Sequence, residues 1–159
     1  MPDRDVLDRV DGLQTAYIAA LDRRDMAGWL ACFDEAEGTY ACLTEEGVQQ
    51  DLPLAMMLDD TPARLRDRVR FVEEVWAGTF EEYTTRHFVQ RLSCCDLAAG
   101  CVAVTSNFLV TYTSARRHSE ILVAGRYEDE VVVGEATRFR RKRAILDTVT
   151  LPRYLVYPV

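Results

Sequence analysis

Cys101–Ser114 reads CVAVTSNFLVTYTS, and Val102, Val104, Ser106, Phe108, Val110 and Tyr112 fall on one side of it. Strict alternation sustained over this length is the mark of a long β-strand with one buried face. The same pattern continues on both sides. Thr85 to Asp96 forms the preceding strand, joined through a turn at Ala98-Ala99-Gly100. A polar turn, Ala115 to His118, leads into a strand over Ser119 to Val133, and Gly134-Glu135 turns the chain into a fourth over Thr137 to Thr150. A two-residue loop there sets Val133 opposite Ala136, Asp129 opposite Arg140 and Glu128 opposite Arg141. The acidic run Glu128-Asp129-Glu130 then lies across from the basic run Arg138 to Arg143. Opposite charges paired across strands stabilise by about 0.2–1 kcal/mol each, which explains the basic cluster without any ligand.

Towards the N-terminus the period changes. Val6, Val10, Leu13, Tyr17 and Ala20 recur at helical spacing within Asp3 to Arg24, with acidic residues in the first turn and arginines in the last. Asp25 caps a short second helix, Met26 to Phe33, carrying Trp29, Leu30 and Phe33. Glu37 to Thr44 reads as a strand, with a second short strand near Val48 to Asp51 after Gly47. Thr61-Pro62 places a capping hydroxyl before a proline at the first helical position. Leu65, Val69, Val72 and Trp76 form that helix's buried stripe, Phe71 and Val75 widen it, and Gly78 ends it. Helices first and long antiparallel strands after them define an α+β fold. A helix laid in the concave face of a strongly curved sheet is the NTF2-like cone, as a single domain over residues 1–159.

The 159 residues carry a net charge of −7, which argues against nucleic acid as a partner, since that affinity rests on phosphate neutralisation. No apolar run reaches the ~20 residues of a membrane span. The start, Met1-Pro2-Asp3-Arg4-Asp5, lacks the apolar core of a signal peptide, and the five cysteines have no framework spacing. A cytoplasmic protein with reduced thiols is expected.

Metal chemistry finds little footing. His87 and His118 are the only histidines, and no paired Cys or His motif is present. Cys94-Cys95 is an adjacent pair whose side chains point to opposite faces of a strand. Acid–base chemistry has a candidate set in Tyr17 on the first helix, Asp34 after the second and His87 on a strand. A tyrosine donor beside a buried carboxylate base is the equipment of an enolising isomerase. Their spacing is equally that of a core tyrosine, a loop aspartate and a satisfied strand histidine.

The chain resembles the small (β) subunit of bacterial aromatic-ring-hydroxylating dioxygenases. The resemblance runs from about Tyr40 to the end. It is carried by Arg66-Asp67-Arg68-Val69 with Trp76, by Arg86-His87-Phe88-Val89, by Thr105 to Val110, and by Val123-Ala124-Gly125-Arg126-Tyr127-Glu128-Asp129. Ile145-Leu146-Asp147, Leu151-Pro152 and Leu155 to Val159 complete it. Within the family it is most similar to subunits serving aromatic carboxylates such as salicylate, anthranilate or terephthalate. The resemblance implies an NTF2-like cone without catalytic residues, in an α3β3 hexamer. The large α subunit would hold a Rieske [2Fe–2S] cluster and a mononuclear non-haem iron, fed from NAD(P)H through a reductase. No cofactor or metal is expected in this chain. The alternative is a stand-alone isomerase or dehydratase using Tyr17, Asp34 and His87. An aromatic tail over residues 151–159 is expected at a subunit interface, with Tyr154, Leu155, Tyr157 and Val159 joined by Arg126 and Arg153.

Overall fold

The computed structural model describes residues 1–148 and 150–159. Helix α1, Arg4–Asp22, starts where the Asp3 carboxylate accepts from the Val6 amide at 3.0 Å, and it buries Val10, Leu13, Tyr17, Ala20 and Leu21. A tight corner leads to α2, Met26–Leu30, capped by Asp25. The expected continuation to Phe33 is replaced by a bridge, in which Phe33 pairs with Phe139 and fastens the corner to the sheet.

Among the described residues six strands form one sheet in the order β2-β1-β6-β5-β4-β3. These are β1 Thr39–Thr44, β2 Met57–Asp59, β3 Tyr83–Asp96, β4 Cys101–Ser114, β5 Ser119–Val133 and β6 Thr137–Leu146. All neighbours run antiparallel except β1 and β6, which are parallel. The six alternating residues of β4 are all buried on the face towards α1. The register shifts at Leu92 in β3, at Leu122 in β5 and at Arg140 in β6. Each extra residue bends its strand and increases the local twist, which curls the sheet around α1.

Four local expectations are corrected. The predicted short strand at Val48 to Asp51 is instead helix α3, Glu45–Gln49, because the Thr44 hydroxyl caps it by accepting from the Gly47 amide at 3.1 Å. The partner of β1 lies further on, with Met57 opposite Cys42 and Asp59 opposite Tyr40. Helix α4, Pro62–Arg70, begins at Thr61 as expected but opens into a π-helical turn over Phe71–Val75. That wider turn rotates the stripe, so Leu65 and Val72 are buried while Phe71 and Val75 face outward. The β5–β6 loop has three residues, and Arg140 bulges out of register. Glu128 therefore faces Arg143 and Asp129 faces Lys142, two residues beyond the predicted partners. The fourth strand ends at Leu146 rather than Thr150, and Val149 lies outside the described residues.

Candidate functional site: the interior of the cone

The inner face of the sheet and α1 enclose an aromatic cluster centred on Tyr17. Its ring meets Phe139 at 5.5 Å, and Phe33 and Tyr127 each at 6.2 Å, all edge-on. Phe108 stacks on Tyr127 at 4.2 Å, and Trp29 packs against Phe33 and Tyr40. Residues 151–159 close over this cluster. The Tyr17 hydroxyl donates to a main-chain oxygen of Val159 at 2.8 Å, and the Val159 amide donates to the Tyr40 hydroxyl at 3.1 Å. Val159 is 2% exposed, with Val156 and Pro158 buried beside it. Burial pushes the Tyr17, Tyr40 and Tyr127 hydroxyls well above the ordinary tyrosine range, so all three stay protonated, and those of Tyr17 and Tyr40 hold Val159.

Next to the cluster lies a buried ion pair. Lys142 donates to Asp129 at 3.0 Å, their side chains 0% and 1% exposed, and to the Gln14 amide oxygen at 3.2 Å. The ammonium sits over the rings of Tyr127, Phe139 and Tyr17 at 3.7, 4.3 and 4.4 Å. Burial raises the Asp129 carboxyl to about 6 despite its cation, and burial lowers the Lys142 ammonium. Sequence reasoning placed Lys142 in a basic run paired across strands with acidic residues, without marking it as buried. The signal that locates it is parity, since Lys142 shares a face with Ala144 and Leu146. Its neighbours stay outside, where Arg140 and Arg141 pair with Glu130 and Arg143 pairs with Glu128.

The three acid–base candidates each engage a different partner. Tyr17 holds the tail. Asp34 accepts from the Ala36 and Glu37 amides at 2.9 Å each and so closes a turn. The His87 ring shares a 2.6 Å hydrogen bond with Asp22 at the end of α1, a residue the sequence reading passed over. Asp22 also accepts from the Thr85 hydroxyl and the His87 amide. Burial alone would raise the Asp22 carboxyl, but the bonds from His87 and Thr85 outweigh it and hold it below its ordinary value. This arrangement locks the helix end onto β3. No hydrogen bond joins Tyr17, Asp34 and His87 to one another among the described residues.

The residues named for an interface are distributed unevenly. Arg126 is held by Glu45 and Glu128 of its own chain. Arg153 lies over the Tyr83 ring at 4.1 Å and donates to the Glu81 carbonyl at 2.8 Å. Tyr157 packs on Phe80 and Tyr83, Leu155 is half-buried, and Val159 is inside the cone. Tyr154 is 81% exposed, beside an open hollow shared with Met56 and Leu151.

Fold and interior together define an NTF2-like domain whose aromatic cluster is closed by its own residues 156–159. The sequence matches the family described as ring hydroxylating beta subunit over residues 17–153, and the chain belongs to that family, as a small subunit of a ring-hydroxylating dioxygenase. It is 31% identical over 148 residues to the anthranilate 1,2-dioxygenase small subunit of Burkholderia cepacia, covering 92% of this chain and 90% of the relative. Among solved structures, the beta subunit of a proposed aromatic-ring-hydroxylating dioxygenase from Novosphingobium aromaticivorans superposes with a TM-score of 0.80 at 24% identity, over 90% of each chain. A chain of naphthalene 1,2-dioxygenase superposes with a TM-score of 0.75 at 14% identity, over 96% of this chain and 84% of that one. At these identities the superpositions speak for the fold.

Proposed function

We propose that this subunit is a non-catalytic scaffold that binds a large α subunit and holds three such pairs together as an α3β3 hexamer. One observation supports this most. The aromatic part of the cone interior is taken up by residues 156–159, and the Tyr17 and Tyr40 hydroxyls are engaged with Val159. The Rieske [2Fe–2S] cluster and the mononuclear iron belong to the α subunit, and electrons reach them from NAD(P)H through a reductase. The donor set of this chain does not fit either centre. His87 is held by Asp22 inside the cone, and His118 sits in the exposed turn between β4 and β5, so the two do not converge.

The relative from Burkholderia cepacia supports an aromatic carboxylate of the anthranilate type as substrate, and the cysteines without framework spacing fit a cytoplasmic complex. Tyr154, with Leu155 and the hollow beside it, is the part of the tail available to another subunit, and Arg153 lines that hollow, whereas Arg126 and Tyr157 are engaged within the chain. Aromatic anchors set in such hollows carry a large share of interface energy. The test is co-expression with the large subunit followed by native mass measurement. Three copies of each chain are expected, and Tyr154→Ala weakens assembly at least tenfold. A homodimer that ignores the large subunit overturns the proposal.

A further inference from the structure

The middle of α1, from Val10 to Ile18, does not touch the sheet everywhere. Between it and β3 to β6 lies a pocket of about 310 Å³, at the small end of the range for ligand sites. It shares α1 and strands β4 to β6 with the aromatic cluster, and Phe139 lines both, but no residue of the tail lines it. Val10, Ile18, Val104 and Val131 supply apolar walls, and Gln14, Ser106 and Asp129 supply polar groups. Asp11 and Arg91 stand at its rim, joined by two bonds of 2.7 and 3.0 Å.

Among the described residues, two buried polar atoms in this lining have no partner, the Gln14 Nε2 and the Asp129 Oδ1. Leaving such groups unpaired costs about 1–3 kcal/mol each, so a site with both invites a ligand that satisfies them. Their roles are unambiguous. Lys142 can only donate, and it takes the Gln14 Oε1 and the Asp129 Oδ2. One ammonium therefore holds the two groups side by side, with a free amide donor on one and a free carboxylate acceptor on the other. The charges at the site cancel within the chain, Lys142 against Asp129 and Arg91 against Asp11. A charged ligand would be desolvated without a counter-charge, whereas a neutral one would not.

We infer that this pocket binds a small uncharged molecule presenting a carboxamide on an apolar ring, its carbonyl accepting from Gln14 Nε2 and its N–H donating to Asp129 Oδ1. The site is independent of the scaffold role, since none of these groups belongs to the tail. Benzamide is the probe, titrated by calorimetry into the full chain alone and in complex with its large subunit. Saturable one-site binding is expected. Gln14→Met weakens it about five- to tenfold, the loss of one hydrogen bond. Thr15→Trp, an exposed substitution at the pocket mouth, abolishes it, and toluene and benzoate bind at least tenfold more weakly than benzamide. The inference is overturned if benzamide does not saturate, if toluene binds as tightly, or if a folded Gln14→Met variant binds benzamide unchanged.

Discussion

Replacing Lys142 with methionine removes the cation but keeps most of the side-chain volume. It leaves the Asp129 carboxylate, 1% exposed, without its charge partner inside an aromatic box. Breaking one half of a buried pair typically costs about 3–5 kcal/mol. The carboxyl can escape by taking a proton, and that limits the loss. With Lys142 present it is already raised from 3.8 to about 6, equivalent to roughly 3 kcal/mol of destabilisation of the charged form at neutral pH. A carboxyl raised in the folded state contributes stability that is complete below its unfolded value near 4 and is lost as pH rises through about 6. Lys142→Met should therefore cost about 3–5 kcal/mol at pH 7.5 and clearly less at pH 5. The double substitution Lys142→Met with Asp129→Leu removes both charges and should return to within ~1 kcal/mol of the parent, or exceed it. Urea unfolding followed by circular dichroism at the two pH values measures all three chains. A single-variant cost below ~1 kcal/mol at pH 7.5, or a larger cost at pH 5, refutes the reasoning.

Gly125→Ala would place a Cβ 2.0 Å from the Ile145 carbonyl oxygen on the neighbouring strand, so this variant should lose at least ~3 kcal/mol or fail to express in soluble form. Tyr40→Phe removes the bonds to Val159 and should cost about 1–2 kcal/mol, with faster amide exchange concentrated in residues 155–159. Asp22 is held below its ordinary value, so it contributes stability that is present above pH ~4 and lost as pH falls through its folded value. Asp22→Asn should therefore flatten the acid limb of the stability profile.

The long strands were legible because each has one buried face, and alternation registers that directly. The boundaries of β4 and β5 match the pattern to the residue. The α3 helix was missed because Gly47 reads as a turn, whereas the decisive local feature is the Thr44 hydroxyl reaching forward to accept from its amide. The β5–β6 register was off by two, one residue from a three-residue loop in place of two and one from the bulge at Arg140, which leaves no compositional trace because Arg140 looks like its neighbours. Within the cone, Tyr17 was found on its stripe. Its partner was not, since the bond to Val159 spans nearly the whole chain. Lys142 and Asp129 were hidden by the charged runs containing them, although strand parity placed both inside.

The central claim is that this subunit supports the reaction without taking part in it. Turnover per iron in the assembled dioxygenase tests this most directly, with the small subunit carrying Tyr17→Phe, Asp34→Asn or His87→Gln. The scaffold account predicts kcat within about twofold of the parent for every variant that still assembles. A loss of a hundredfold or more in an intact complex, the size expected for removing a general acid or base, would contradict it.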